Sequence, residues 1–382
     1  MNDKLISKLP SAGTSIFAVM SKMAVDHKAI NLSQGFPDFN CADKLLDLVN
    51  HYQRKGFNQY APMPGITTLR ENISVKTQKC NKAFYNPETE ITITSGATEA
   101  LYASITALIH PGDEVIIFEP AYDSYLPAIQ LSGGVLVPVP MTLPDFKIDW
   151  SAVENKINKK TKMIIINSPH NPSGSVIDEA DIKKLESLSE HFSFYILSDE
   201  VYEHIIFDRT PHLSISTSPL LKERSIIVSS FGKTFHVTGW KVGYFVAPEI
   251  ITKEIRKIHQ FVVFAVNTPI QYAYADYLKD ENTYFHLNDF YQKKRDFSVE
   301  LFRKTKFKLT PAKGTYFQLL DYSELSDKPD MEFAEYLAKE VGVAVIPLSP
   351  FYSGKYEGKL IRICFAKSDE VMTEAAHRLM NA

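Results

Sequence analysis

The sequence predicts an α/β protein, with a mostly parallel central sheet in a large domain and a smaller α+β domain beside it. Two observations carry this. Between about residue 90 and residue 247, short apolar, β-branched runs alternate with helix-like stretches, the pattern of parallel strands joined by crossover helices. After about residue 306 the pattern changes to KLTPAKGTYFQLLDY, a helix around Met331 to Glu340, then VAVIPLSPFY and KLIRICFA, short strands and a helix in α+β order. The size fits: 382 residues, 45% hydrophobic and 23% charged, give material for two or three domains with ample cores.

Taken in order, the chain opens with a short helix over Ile16 to Asp26 and the loop INLSQGFPDF, where Gly35, Pro37 and Asp38 favour turns over a strand. A helix follows from about Ala42 to Gly56. NQYAPMPGITTLRENIS holds Tyr60 in an irregular segment before an amphipathic helix that starts near Ile66. Tyr60 either packs against its loop or offers its hydroxyl to a ligand. ITIT is a strand, SGAT a turn and EALYASITALI a helix. A strand, a small-residue turn and a helix put free N–H groups and a positive dipole end at Gly96, Ala97 and Thr98, a place for an anion, although the same arrangement also serves as a plain connection. EVIIFEPAYDSY is the next strand, with Tyr122 just past its end. TKMIIINSPHNPSG is a buried strand ending in a proline-bound loop that carries Asn171. FSFYILSDEVYEH repeats the theme. Asp199 and Tyr202 share one side if the chain turns helical there.

Ile226, Ile227 and Val228 then run into SSFGKTFHVTGWKVGYFVA, and a second strand is expected from Lys241 to Ala247. Lys233, between Gly232 and Thr234, stands just past a buried strand. Most lysines lie on solvated surfaces. One reaching into a cleft loses proton affinity by desolvation and beside other cations, and its neutral amine attacks carbonyls. The GKT here is no phosphate-binding P-loop, because Ile227 stands where that motif needs glycine. The dinucleotide fingerprint G-x-G-x-x-G is also missing after ITIT. Gly96 to Thr98, Tyr122, Asn171, Asp199 with Tyr202, and Ser230 with Lys233 all fall just beyond strand ends, where open α/β sheets bind ligands. Five such places define one cleft. A long helical stretch runs from about Glu254 to Lys306, broken near Asn267, Thr268 and Pro269. Arg362 lies inside the apolar strand KLIRICFA, where a buried cation needs an anion, either an internal carboxylate or a ligand's.

A net charge of −3 gives no electrostatic case for nucleic acid or an anionic membrane. Cys41, Cys80 and Cys364 show no metal-ligand spacing and suit a reducing cytoplasm. The start, MNDKLISKLPSAG, has no apolar core of signal-peptide length, and the longest apolar run, Phe261 to Val266, is far short of a membrane span.

SSFGKTFHVTGWKVG, NSPHNPSG, SDEVYEH and SQGFPDF, in this order and spacing, resemble the class I/II aminotransferases of fold type I, which use pyridoxal 5'-phosphate (PLP). The likeness is strongest to bacterial methionine aminotransferases and kynurenine/glutamine transaminases, and runs from about Gly13 to the C-terminus. The resemblance implies a large PLP-binding domain over residues 44–281 and a small domain from 1–43 and 282–382. It implies that Lys233 binds the cofactor aldehyde as a Schiff base and that Asp199 keeps the pyridine nitrogen protonated. Tyr202 and Asn171 match partners of the ring's phenolic oxygen, and Tyr122 the aromatic on the ring face. Gly96, Ala97, Thr98, Ser230 and Lys241 match the phosphate pocket, with Lys241 where many relatives carry arginine. Tyr60 matches a tyrosine that reaches the phosphate from a partner subunit, which implies a homodimer. Arg362 matches the arginine that grips the substrate carboxylate, with Gly35 and Asn171 beside it.

The implied reaction is ping-pong transamination between an amino acid and a 2-oxo acid. A further arginine for a side-chain carboxylate is not identifiable. Phe17 and Phe264, near the expected pocket, suit methionine or aromatic amino acids. A β-lyase cleaving C–S bonds would use the same lysine and cofactor. A non-catalytic regulator on this fold carries a DNA-binding domain ahead of it, for which a pattern starting near Gly13 leaves no room.

Overall fold

In this computed structural model, residues 6–10 and 12–380 are described. Among them, seven strands form the main sheet: β1 (Ile91–Thr94), β2 (Glu114–Glu119), β3 (Val135–Pro140), β4 (Thr161–Asn167), β5 (Tyr195–Asp199), β6 (Ser225–Ser230) and β7 (Gly243–Val246). Their spatial order is β1-β7-β6-β5-β4-β2-β3. Only β7 runs against its neighbours. The expected mostly parallel sheet is therefore present.

Alternate residues of a strand face opposite sides, and here both sides are covered, so the strands read as unbroken apolar runs. In β4, Met163 and Ile165 pack into one buried cluster with Leu101, Ile129 and Ile255. Ile164 and Ile166 pack into another with Leu69, Leu185 and Tyr274. The edge strand β3 has no counterpart in the sequence reading. Its Pro138 and Pro140 weaken the strand signal, and its residues are mostly half-exposed, which an edge position tolerates.

The stretch expected as one long broken helix is four: Glu249–Val262, Thr268–Tyr277, Asn282–Phe285 and Leu287–Phe302. The break is a helix start, where the Asn267 side chain accepts from the Ile270 N–H and Pro269 occupies the first turn.

A third buried cluster surrounds the antiparallel strands β8 (Phe317–Asp321), β9 (Ile346–Pro347) and β10 (Leu360–Cys364), ordered β9-β10-β8. The helix Ile16–Asp26 packs into it from the other end of the chain, and Ile30–Asn31 pairs in parallel with Val343–Ala344. The helix expected to reach Glu340 is regular only over Asp330–Tyr336. It then widens into a π turn over Leu337–Val341, and Gly342 closes it at φ 79.

Two features set the site. Gly96, Tyr122, Asn171, Asp199 and Lys233 all follow or end parallel strands, so they share one edge of the sheet. Because β7 is antiparallel, Lys241 just before it falls on that same edge. Val201 and Tyr202 at this edge belong to the third cluster, which brings that core against the sheet.

Candidate active site

Every predicted site residue except Tyr60 and Phe264 lines one cavity of about 220 Å³ at this edge. The sheet supplies one wall. Phe17, Gly35, Phe317 and Arg362, from the third core and its loops, supply the other.

Lys233 sits on the single helical turn Phe231–Thr234 that follows β6. Its amine donates to the Gly35 carbonyl at 3.1 Å and to the Tyr316 hydroxyl at 2.8 Å. Burial lowers its pKa to about 8, Arg362 and Lys241 push the same way, and Cys364 and Asp199 oppose them. At pH 7 about a tenth of such an amine is neutral, far more than for a surface lysine. Asp199 ends β5 and is 4% exposed. Its Oδ2 accepts from the Tyr125 hydroxyl at 2.7 Å. Burial raises its pKa to about 6, against the pull of the Tyr125 and Val201 hydrogen bonds and of Lys233. A carboxyl so poised ionises fully once a cation faces it.

Asp199 and Tyr202 both line the cavity because the intervening chain turns, with Glu203 N–H bonded to Glu200 O at 2.9 Å and Ile205 N–H to Tyr202 O at 2.8 Å. Burial holds the Tyr202 phenol well above its usual pKa, so it stays protonated. Beneath, Glu203 pairs with buried Lys76 at 2.7 Å and accepts from the Ser229 hydroxyl at 2.5 Å. This ion pair braces the residues next to Tyr202 and Ser230. Breaking such a pair costs about 3–5 kcal/mol.

At the anion end, Gly96 starts the helix Gly96–Leu108 at φ 71, a conformation open to glycine. A Cβ there would come within 3.4 Å of the Lys241 amine. Lys241 is left-handed (φ 52, ψ 49), exposed, and donates to the Thr98 hydroxyl at 3.2 Å. Its strand starts only at Gly243, two residues later than the sequence suggests. There the β7 backbone presses on the helix start so closely that a Cβ on Gly243 would lie 2.9 Å from the Ala97 nitrogen. Helix N–H groups, a lysine and the Thr98 and Ser230 hydroxyls make a cradle for a dianion.

Arg362, in β10, is fully buried. Among the described residues no carboxylate pairs with it. One end nitrogen donates to Asn171 Oδ1 at 2.7 Å and the other to Ser33 O at 3.0 Å, while Nε has no partner. The guanidinium lies 3.8 Å from the Phe317 ring centre and 5.2 Å from that of Phe17. Burial lowers its pKa to about 10, so it remains a cation at neutral pH. The internal salt bridge left open by the sequence is not what holds it.

One expectation needs correction for the single chain. Phe264 follows the end of the helix Glu249–Val262 at φ 66 and points to the surface, 48% exposed, instead of lining the cavity. Its ring meets that of Tyr60, itself 84% exposed, edge to face at 5.3 Å. Sequence reasoning missed Tyr125 and Tyr316. Tyr125 starts the short helix Tyr125–Leu131 that follows the Tyr122 loop, a place no pattern in the sequence marks. Tyr316 sits in a strand-like run and carries no local signal.

A partly buried lysine, a buried carboxylate, a helix N-terminus with a lysine, and a buried arginine without a carboxylate partner surround one cleft, an arrangement suited to small molecules that carry anionic groups. The chain belongs to the aminotransferase class I and II family, whose model matches residues 27–379. It has the family's fold type I architecture, and it is an aminotransferase. It is 49% identical to a methionine aminotransferase of Escherichia coli K12, over 99% of both chains. It is 32% identical to human kynurenine–oxoglutarate transaminase 3, over 100% of this chain and 90% of that one. Among solved structures, YbdL from Escherichia coli, identified with a methionine aminotransferase function, superposes with a TM-score of 0.96 at 48% identity, covering 99% of each chain.

Proposed function

We propose that the enzyme moves the amino group of methionine, and of other apolar or aromatic amino acids, to a 2-oxo acid with PLP as its cofactor. One observation carries the reading: Arg362, a buried cation with Nε unpartnered, faces the same cavity as Lys233 and Asp199. The site residues fit the cofactor. Gly96, Thr98, Ser230 and Lys241 would hold its phosphate, Tyr122 its ring face, Asp199 a proton on its ring nitrogen, and Tyr202 with Asn171 its phenolic oxygen. When bound, PLP supplies an aldehyde that captures amines and a ring that accepts the electron pair of a broken Cα–H bond.

The chain's own residues do the rest. Arg362 and Asn171 fix the substrate α-carboxylate, which sets the Cα–H bond toward Lys233. The Lys233 amine takes the proton from Cα and delivers it again as a general acid. Phe17 and Phe317 flank Arg362 with apolar surface and keep its neighbourhood dry. Arg362 is the one arginine among the described cavity-lining residues, which supports an apolar donor over a dicarboxylic one. Similarity to methionine aminotransferase supports methionine. A panel of amino donors against several 2-oxo acids tests this, with methionine expected among the best donors. Aspartate as the preferred donor, or pyruvate and ammonia released from a cysteine conjugate without any acceptor as the main activity, would overturn it.

We further propose a division into 44–281 and 1–43 with 282–382, supported by the third buried cluster, which gathers the chain's two ends. We propose a homodimer in which Tyr60 reaches the partner's phosphate site. Tyr60 at 84%, Phe261 at 85% and Ile250 at 76% exposure are large apolar groups left largely uncovered by the described residues. Sedimentation at working concentration is expected to show a dimer, and a fully active monomer would sink the proposal. No helix among the described residues is long and apolar enough to cross a membrane. The three free cysteines support a cytoplasmic enzyme.

A further inference from the structure

We propose that Tyr316 is a positioning residue for Lys233: with the Gly35 carbonyl, its hydroxyl fixes the free amine so that the nitrogen lone pair faces the cavity. This rests on the reading of Lys233 as the amine that moves the α-proton. Tyr316 is fully buried, and its ring is wedged by Tyr202 at 5.2 Å, Phe317 at 4.9 Å and Tyr291 at 5.7 Å between centres. Its hydroxyl proton is committed, because it donates to Gly35 O at 2.5 Å. The oxygen therefore meets Lys233 as an acceptor, and takes an amine N–H at 2.8 Å. Gly35 O takes a second N–H from the same nitrogen at 3.1 Å. A neutral amine has two N–H bonds and one lone pair. With both N–H groups anchored on the third-core side, the lone pair is left for the cavity that Lys233 lines. In the step served, the Cα–H bond breaks, its proton goes to Nζ and its electron pair to the bound cofactor.

The bland alternative is that Tyr316 only fills the core. Tyr322 provides the comparison. It is equally buried, and its hydroxyl donates to Lys328 O at 3.0 Å, away from the cavity. The test compares Tyr316→Phe and Tyr322→Phe in the full chain with the unaltered enzyme. One measurement is the kinetic isotope effect with α-deuterated methionine. The other is the pH midpoint for acylation of Lys233 by acetic anhydride in protein freed of cofactor, read by peptide mapping.

For Tyr316→Phe, kcat is expected to fall about 10- to 100-fold as the amine loses its orientation, with KM changed less than about threefold. The isotope effect rises because proton transfer becomes more rate-limiting. The Lys233 midpoint falls by about half to one pH unit, since an acceptor that favours the ammonium form is gone. Tyr322→Phe leaves all of these in place. An unchanged isotope effect and midpoint in Tyr316→Phe, or equal changes in both variants, would overturn the proposal. Borohydride labelling of the unaltered enzyme separates the two levels. Label on Lys233 with no effect of Tyr316→Phe defeats this inference alone, and label on another lysine defeats the reading of Lys233 itself.

Discussion

Lys233→Ala is expected to lower turnover by about 10⁴-fold, because on the proposed roles it removes both the amine that captures the cofactor and the group that moves the proton. The chain should stay folded. Alanine gives up two hydrogen bonds, to Gly35 and Tyr316, but also relieves a lysine that burial has made reluctant to carry charge. pH gives a second readout. Lys233 titrates at about 8 in the folded chain against 10.5 for an ordinary lysine, so the unfolded chain binds more protons between those values. This residue therefore makes stability rise as pH climbs through that window, and Lys233→Ala should flatten the rise. Borohydride should fix the cofactor to the peptide containing Lys233. Normal turnover in the alanine variant, or label on a different lysine, refutes the assignment.

Asp199→Asn is expected to retain cofactor and lose about 10²- to 10³-fold in turnover, the scale of a preorganised electrostatic contact. The amide has nearly the shape of the carboxylate and can still accept from Tyr125, so packing is kept. It has no negative charge with which to hold a proton on a facing ring nitrogen, and the ring then accepts electrons poorly. The carboxylate is well prepared for this duty. Burial holds it near 6 in the chain alone, and a facing cation brings it down. Cofactor content by absorbance and turnover are measured together. Near-normal turnover with full cofactor would make Asp199 a structural residue only, and loss of cofactor would make it an anchor instead of an electronic partner.

The sheet was legible because its strands are buried on both faces and so leave unbroken apolar runs. Lys233, Asp199, Asn171 and Arg362 could be marked as polar residues inside or just beyond apolar strands, but only the family resemblance gave them roles. β3 was not, since prolines at an exposed edge leave no periodic signal. Tyr125 and Tyr316 were missed for another reason. Tyrosine is an ordinary core residue, and what sets these two apart are hydrogen bonds to partners 74 and 83 positions away in the chain. Phe264 lies on the surface of its own chain because it takes a positive φ just after a helix ends, a turn that no periodic signal in the sequence marks.

Arg362 is a buried cation whose stability cost depends on what faces it. Folding strips this guanidinium of water and returns two acceptors, Asn171 and Ser33, but no counter-charge among the described residues. The native chain is thus held below the stability it would have with that cation matched. A carboxylate that binds only the folded form raises the free energy of unfolding by about 2.7 kcal/mol at a hundredfold excess over its dissociation constant. On the proposed role of Arg362, methionine in excess should therefore raise the melting temperature of the enzyme, and much less so in Arg362→Ala.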